Sequence, residues 1–344
     1  MSEKEMTHRN GFQKFMHRPE FATLIIFIAM IVIVAALQGN FFEPSSLRNS
    51  IISWTPLILL AMGQAVVIIA GGLDLSSGPA MAFMMCVMAS IMKKDDPSTG
   101  LPALLMGLVV MLVVGIVNGV AVGYLKLPPI IATFATSYVW LGASLFIMPT
   151  PGGECVNWMR AFYDFASVEA MPEALKAFGQ AIPTGVLLII AAVVIWYCVS
   201  RTRTGRYIYA VGSNRTVAYQ SGINTSKVQL LAYMINAIFI FFCALFMVAQ
   251  NQAGSARIGD PLTLQCVAAA VVGGVALTGG KGNVFMAIVG AIIMSLVSKL
   301  IYVANVESAY QSLVSGIIII AAIASSTIYT TINERALLKG GQAK

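Results

Sequence analysis

The stretch SRTRTGRYIYAVGSNRTVAYQSGINTSK, residues 200–227, is a long polar connection near the middle of a mostly apolar chain. It contains five basic residues and no acidic residue. Apolar segments long enough to span a bilayer lie on both sides of it, and the spacing from Asn214 to Gln220, between two glycines, is compatible with a short helix. We therefore expect this loop to face the cytoplasm and to form a docking surface that passes force from a partner into two helical halves.

The composition indicates a polytopic membrane protein. Of the 344 residues, 58% are hydrophobic and only 10% are charged, whereas a soluble domain carries roughly 25% charged residues. The mean hydropathy is +0.84. Since a spanning helix needs about 20 apolar residues, the length allows about ten spans with short loops. The net charge of +7 is assigned to membrane topology and not to nucleic acid binding, because basic residues of membrane proteins mark cytoplasmic segments.

Hydropathy predicts an all-α protein with about ten transmembrane helices. The predicted spans are 21–37, 51–70, 79–92, 101–125, 130–148, 182–199, 229–249, 264–277, 284–303 and 310–331. The positive-inside rule then places both termini in the cytoplasm. The resulting segments are a cytoplasmic tail at 1–20, a transmembrane domain at 21–331 with a periplasmic loop at 149–181 and a cytoplasmic loop at 200–228, and a cytoplasmic tail at 332–344.

Two glycine-rich breaks interrupt the apolar pattern: AGGLDLSSG at 70–78 and GGVALTGGKGN at 273–283. The first contains Asp74, the one carboxyl group inside a mostly apolar region. In transporters such breaks mark discontinuous helices around a substrate path. They also suit tight turns in which glycine supplies its free φ and Asp74 caps the next helix. Both interpretations stay open on the sequence.

The sequence offers little for catalysis or metal binding. The only histidines, His8 and His17, lie in the N-terminal tail, which excludes a histidine-based triad or zinc site in the membrane. The segment around Lys281 lacks the spacing of a phosphate loop, and the five cysteines have no metal-binding spacing. We expect no catalytic residue, no metal, no cofactor and no ATP site in this chain.

Four motifs resemble the permease subunits of bacterial ABC sugar importers of the ribose, galactose and xylose type. They are AVVIIAGGLDLSSG (65–78), VNGVAVGYLKLPPIIATFATSY (117–138), TRTGRYIYAVGSNRTVAYQSGINTSKVQLLAY (202–233) and AAAVVGGVALTGGKGNVFMAIVGAII (268–293). They follow the family's order and are spread over the chain from about residue 50 to residue 330. The resemblance implies a place in the bacterial inner membrane, cytoplasmic ATP-binding subunits, a periplasmic sugar-binding protein and a second permease copy or paralogue.

The resemblance also assigns a role to the basic loop. By position, residues 212–222 would be the coupling helix that rests in a groove of the ATPase. The residues assigned to ATPase coupling, here called the coupling set, are Gly212, Ser213, Asn214, Arg215, Tyr219, Ser221 and Gly222. Arg215 stands where members of the family often have an acidic residue.

Uncharged polar residues inside the spans predict a weakly polar translocation path, because unpaired polar groups in hydrocarbon usually face a cavity or another helix. The residues assigned to it are Gln64, Asp74, Asn118, Thr133 and Thr136. The leading hypothesis is an ABC importer permease for a monosaccharide or related polyol, driven by a separate ATPase subunit. The alternative is an ion-coupled secondary transporter of a small polar solute, with Asp74 as the coupling carboxylate. A membrane enzyme is disfavoured, because acid–base and nucleophilic groups are lacking.

Overall fold

A computed structural model of the chain describes residues 19–163 and 183–304, together with residues 310, 313, 316, 317 and 320. The C-terminal tail, nearly all of the N-terminal tail, the second half of the loop at 149–181 and most of the predicted span at 310–331 lie outside the described residues.

The described ranges contain twelve α-helices. They are α1 (Pro19–Leu37), α2 (Pro44–Ile69), α3 (Ser77–Ile91), α4 (Gly100–Gly123), α5 (Pro129–Ile147), α6 (Asn157–Tyr163), α7 (Thr184–Arg201), α8 (Arg203–Ser213), α9 (Arg215–Gln220), α10 (Thr225–Asn251), α11 (Asp260–Val272) and α12 (Met286–Val303). The all-α class is therefore confirmed for the described part of the chain.

Six of these helices are long and apolar enough to cross a membrane: α2, α4, α5, α7, α10 and α12. Helices α1, α3 and α11 are apolar but have shorter apolar stretches. Helix α11 ends at Val272, before the predicted end at 277, because the chain turns at Gly273 and Gly274, and Gly274 has a positive φ of 88°. Each of the first nine predicted spans overlaps one helix, and six of those helices meet the length of a full crossing.

Helices α2 and α10 form the centre of the bundle. Every residue of α2 from Thr55 to Ile69 is buried, and α10 packs against α2, α3 and α4. In contrast, the surfaces of α4, α5 and α7 expose large apolar side chains such as Leu105, Phe134 and Ile190. Such continuous apolar faces are typical of helices that contact lipid.

Glycines allow α4 to approach α10 closely. A Cβ atom added to Gly119 would lie 2.8 Å from Cδ1 and 2.9 Å from Cα of Leu230, and one added to Gly115 would lie 2.9 Å from Cβ of Ala237. Small residues at four-residue spacing create this kind of close helix contact in membranes. The spacing of these glycines therefore serves helix packing.

The segments predicted to be periplasmic contact one another. Gly152 and Gly254 exchange backbone hydrogen bonds of 3.1 and 2.8 Å, and the Lys94 amide donates to Oε2 of Glu154 at 2.6 Å. The segments predicted to be cytoplasmic meet in a separate cluster, described below. The contacts named here join turns on the same predicted side, whereas Gly78, at the end of the first break, packs against the backbone of Gly259, in a segment predicted to be periplasmic.

The close α4–α10 contact predicts a specific sensitivity to side-chain size. We expect Gly119→Leu to lower the free energy of unfolding by about 1–3 kcal/mol, because the added atoms overlap Leu230. Thermal unfolding in mild detergent measures the change. Gly142→Leu on α5 is the control, since a Cβ there meets no atom within 4 Å. Equal unfolding temperatures for the two variants would contradict the packing account.

Candidate coupling and translocation site

The basic loop folds into two helices, because Asn214 ends one and begins the next. Asn214 has an extended backbone, and its Oδ1 accepts a hydrogen bond of 3.0 Å from the amide of Val217 in the first turn of α9. Asn224 caps α10 in the same way, through the amide of Lys227 at 3.0 Å. Asparagine is among the preferred residues at such N-cap positions. The predicted helix between the two glycines is therefore shorter than expected, from Arg215 to Gln220.

Part of the predicted coupling set forms an exposed surface on α9. Tyr219 is 71% exposed, and the neighbouring Val217 is 55% exposed. Ser221 and Gly222, which follow the helix, are also exposed. An exposed aromatic and an exposed aliphatic side chain on a short polar helix are suited to burial against another protein.

Two other members of the coupling set, Arg215 and Ser213, bond to the bundle through their side chains. Nη2 of Arg215 donates to the carbonyl oxygen of Gly123 at 3.4 Å, at the C-terminal end of α4. A cation is favourable there, because the end of a helix carries partial negative charge. Oγ of Ser213 donates to the carbonyl oxygen of Gly280 at 3.4 Å. These residues connect α8 and α9 to the membrane helices.

The two glycine breaks meet at the end of α8. We call this contact the glycine junction; it consists of residues 69–72, 212–213 and 279–282. The Gly280 amide donates to the Ile69 carbonyl oxygen at 2.9 Å. A Cβ atom on Gly212 would collide with that same carbonyl oxygen and would lie 2.7 Å from the Gly280 nitrogen. The close approach of three backbone segments therefore requires glycine at position 212.

Tyr209 on α8 adds a second link to the same junction. Its hydroxyl donates to the carbonyl oxygen of Gly282 at 3.1 Å. Burial raises the pKa of Tyr209, so the hydroxyl keeps its proton at neutral pH and remains a donor. Helix α8 is thus held to the second break by the side chains of Tyr209 and Ser213 and by the close packing of Gly212 against Gly280.

Asp74 lies at the centre of a buried polar network beneath the junction. Its Oδ1 accepts hydrogen bonds from the amide and the hydroxyl of Ser76, at 2.8 and 2.6 Å, and its Oδ2 accepts one of 2.8 Å from Nδ2 of Asn236. The Gln64 amide, oriented so that both its ends are satisfied, donates to the Asp74 carbonyl oxygen and accepts from the Asp74 amide, both at 3.1 Å. The N-cap residue of α3 is Ser76, not Asp74.

The network continues into α4 and α5. Nδ2 of Asn118 donates to Oγ of Ser76 at 2.7 Å, and Oγ1 of Thr136 donates to Oδ1 of Asn118 at 2.7 Å. Oγ1 of Thr133 accepts from the Leu75 amide at 3.0 Å. All five residues that the sequence assigned to a translocation path are therefore brought together around the first break, where they bond to the break's backbone, to Ser76 and Asn236, or to one another.

Three members of the network were missed in the sequence assignment: Ser76, Tyr233 and Asn236. The Tyr233 hydroxyl donates to the Leu73 carbonyl oxygen at 3.0 Å. Asn236 is an amide in the apolar middle of a long helix, which was the available signal. Its Oδ1 is buried and has no hydrogen-bond partner among the described residues. The partners of such an amide depend on helix packing, which the sequence pattern does not specify.

Metal ligands do not cluster in the described part of the chain. No three His, Cys, Asp or Glu side chains lie close enough together there to hold a metal ion. The chemistry that this site offers is hydrogen bonding and mechanical contact.

The chain is similar to known transport proteins. The family model described as the branched-chain amino acid transport system / permease component matches residues 46–323. The ribose import permease protein of Escherichia coli K12 is 30% identical over 265 residues, which cover 77% of this chain and 80% of that protein. The D-allose transport system permease protein of the same strain is 27% identical over 284 residues, or 82% of this chain and 83% of that protein.

The fructose import permease protein of Bifidobacterium longum is 28% identical over 275 residues, which cover 77% of this chain and 78% of that protein. No solved structure gave a significant match. The family model covers well over half of the chain, and the resemblance found from the motifs is confirmed. This protein therefore belongs to the permease component family of branched-chain amino acid transport systems, as a multi-pass inner-membrane transport subunit and not an enzyme.

Proposed function

We propose that this chain forms the translocation path of an ATP-driven importer for a monosaccharide or related polyol. The observation that carries the proposal is the glycine junction, which connects the exposed helix α9 to both breaks in the membrane helices. The names of the relatives, which include ribose, allose and fructose import permeases, support the sugar class of solute. The family assignment favours this function over ion-coupled transport.

The topology that we propose has ten spans and both termini in the cytoplasm. Support comes from the glycine junction, from the contact between Gly152 and Gly254, and from the basic loop at 200–228. The positive-inside rule assigns the glycine junction to the cytoplasmic end and the contact between Gly152 and Gly254 to the periplasmic end.

The proposed partners follow from two observations. The sequence has no phosphate-loop motif for ATP, and α9 exposes Val217 and Tyr219. Cytoplasmic ATP-binding subunits supply the energy and dock on the exposed face of α9 around Tyr219. A periplasmic sugar-binding protein delivers the solute, and a second permease copy or paralogue completes the path. The import-system names of the relatives support this set of partners.

The geometry supports a lever mechanism. A shift of α9 moves α8, because both helices meet at Asn214, and α8 is bonded to the second break through Tyr209 and Ser213. The bond from Gly280 to Ile69 carries the shift to the first break. The buried polar network then passes it to α4, α5 and α10. Packed elements of this kind switch between discrete arrangements, as alternating access requires.

Docking predicts that Tyr219 is an anchor for the ATP-binding subunit. We expect Tyr219→Ala to weaken co-purification of that subunit by about fivefold to thirtyfold, because losing an aromatic anchor costs about 1–2 kcal/mol of binding free energy. The measurement is subunit stoichiometry after detergent extraction. Tyr124→Ala is the control, since Tyr124 is another exposed tyrosine at the predicted cytoplasmic end but lies outside α9. An undiminished partner in the Tyr219 variant would count against docking on α9.

The lever mechanism predicts that a change at Gly212 impairs uptake without impairing binding of the ATP-binding subunit. We expect Gly212→Val to keep the ATP-binding subunit bound but to reduce ATP-driven uptake at least tenfold, because the new side chain pushes α8 away from Ile69 and Gly280. ATP hydrolysis and uptake are measured together in proteoliposomes that contain equal amounts of permease. Normal uptake by this variant would show that the junction does not transmit the motion.

The network around Asp74 predicts a structural role for its carboxyl group. We expect Asp74→Asn to keep uptake within about threefold, because the Asn236 amide can rotate and present its unpartnered oxygen to the new donor. Asn236→Leu should instead lower the free energy of unfolding by about 3 kcal/mol, since it leaves a buried carboxyl oxygen unpaired. Asn251→Leu is the control on the same helix, because the Asn251 amide donates to its own helix at Met247. Complete loss of uptake in a folded Asp74→Asn variant would instead support ion coupling.

A further inference from the structure

A polar cavity of about 540 Å³ lies between α2, α11 and α12. It is separate from both the glycine junction and the buried polar network. Its polar lining includes Asn49, Ser50 and Ser53 from α2, Gln265 from α11, and Ser298 and Lys299 from α12. The volume is within the range of about 300–1,000 Å³ that is usual for small-molecule sites.

Two of the helices line the cavity with regular polar stripes. Lining residues at positions 46, 49, 50 and 53 of α2, and at 295, 298, 299 and 302 of α12, repeat at intervals of three and four. That spacing places each set on one face of its helix. The cavity runs from the exposed Tyr302, with 75% of its surface accessible, down to Ser50, which is 3% exposed.

Lys299 supplies a cation to the wall of this cavity. Its Nζ donates to Oγ of Ser50 at 2.8 Å and lies 4.8 Å from the centre of the Phe41 ring. Within the described part of the chain no carboxyl group pairs with it. An ammonium group has three donors, so donors remain for a group inside the cavity.

The serines supply acceptors next to that donor. Oγ of Ser50 donates to the Ser46 carbonyl oxygen and Oγ of Ser53 to the Ser50 carbonyl oxygen, both at 2.8 Å. Their protons are therefore used within α2. One lone pair of the Ser50 oxygen accepts from Lys299, and the remaining lone pairs of the two serines stay available as acceptors. The amides of Asn49 and Gln265 add both donors and acceptors.

Alternating donors and acceptors fit hydroxyl groups, because each hydroxyl both donates and accepts. An anionic solute would meet Lys299 favourably but would also face the lone pairs of Ser50 and Ser53. We propose that the cavity is a binding station for an uncharged polyhydroxylated solute and that Lys299 contributes to its specificity. The proposal rests on the proposed function and topology, which place this cavity in the periplasmic half of the permease.

Thiol labelling tests the proposal in the complete importer. Ser298→Cys is introduced together with Cys198→Ser, which removes the exposed native cysteine. A membrane-impermeant maleimide is then applied from the periplasmic side of proteoliposomes, with D-ribose, D-allose or D-fructose present in turn. We expect labelling at position 298, and a fall in its rate of about tenfold when a transported sugar is present at about ten times its Kd.

Three further variants make the result specific. Ser90→Cys is the matched control: Ser90 is exposed beside a different, shallow cavity near Lys93, so its labelling should not respond to sugar. Lys299→Met, made in the labelling background, should raise the sugar concentration for half-protection at least tenfold, whereas Lys299→Arg should keep it within about threefold because the charge and donors remain.

The outcomes separate this inference from the proposed function. Unprotected or absent labelling at position 298, in an importer that still takes up the sugar, would overturn the binding station and leave the importer function intact. Protection by D-ribonate alone, or by anionic phospholipid alone, would overturn the uncharged solute. Failure of the unmodified importer to take up any of the sugars would contradict the proposed function itself.

Discussion

The hydrogen bond from the Gly280 amide to the Ile69 carbonyl oxygen joins the two breaks in the membrane helices, and the rest of the structure depends on it. The bond is possible only because Gly212 has no side chain at the point where α8 crosses it. Backbone groups in a membrane must find partners within the protein. Here one hydrogen bond satisfies a carbonyl at the end of α2 and an amide in the turn after α11, and Gly212 of the basic loop packs directly against it.

The buried polar network fixes the first break from the other side. Gln64 bonds to the backbone of Asp74, while Ser76 and Asn236 bond to its side chain. A buried polar group is costly unless it is hydrogen-bonded, so this network specifies one arrangement of α2, α4, α5 and α10 around the break. The permease therefore has a rigid connection between its basic loop and its interior, which is what a lever needs.

The distribution of apolar surface separates the roles of the helices. Helices α2 and α10 are buried, while α4, α5 and α7 expose aliphatic and aromatic side chains that suit lipid. Helix α2 has a double role, because its apolar second half forms the core and its first half lines the polar cavity with Asn49, Ser50 and Ser53. One helix thus links the predicted periplasmic surface to the glycine junction.

The sequence by itself determined the helical class, the positions of nine helices, the two breaks and the family, because apolar length and glycine clusters are local signals. It also selected Asp74, Asn118 and Thr136 as unusual polar residues. Only the tertiary structure decided their long-range partners: Asn118 bonds to Ser76 and Asp74 to Asn236, and nothing local to these residues specifies either contact. The same holds for Gly212 and Arg215, which the family resemblance assigned to ATPase coupling. Their contacts with Ile69 and Gly123 arise from long-range packing, which brings together backbone segments far apart in the chain.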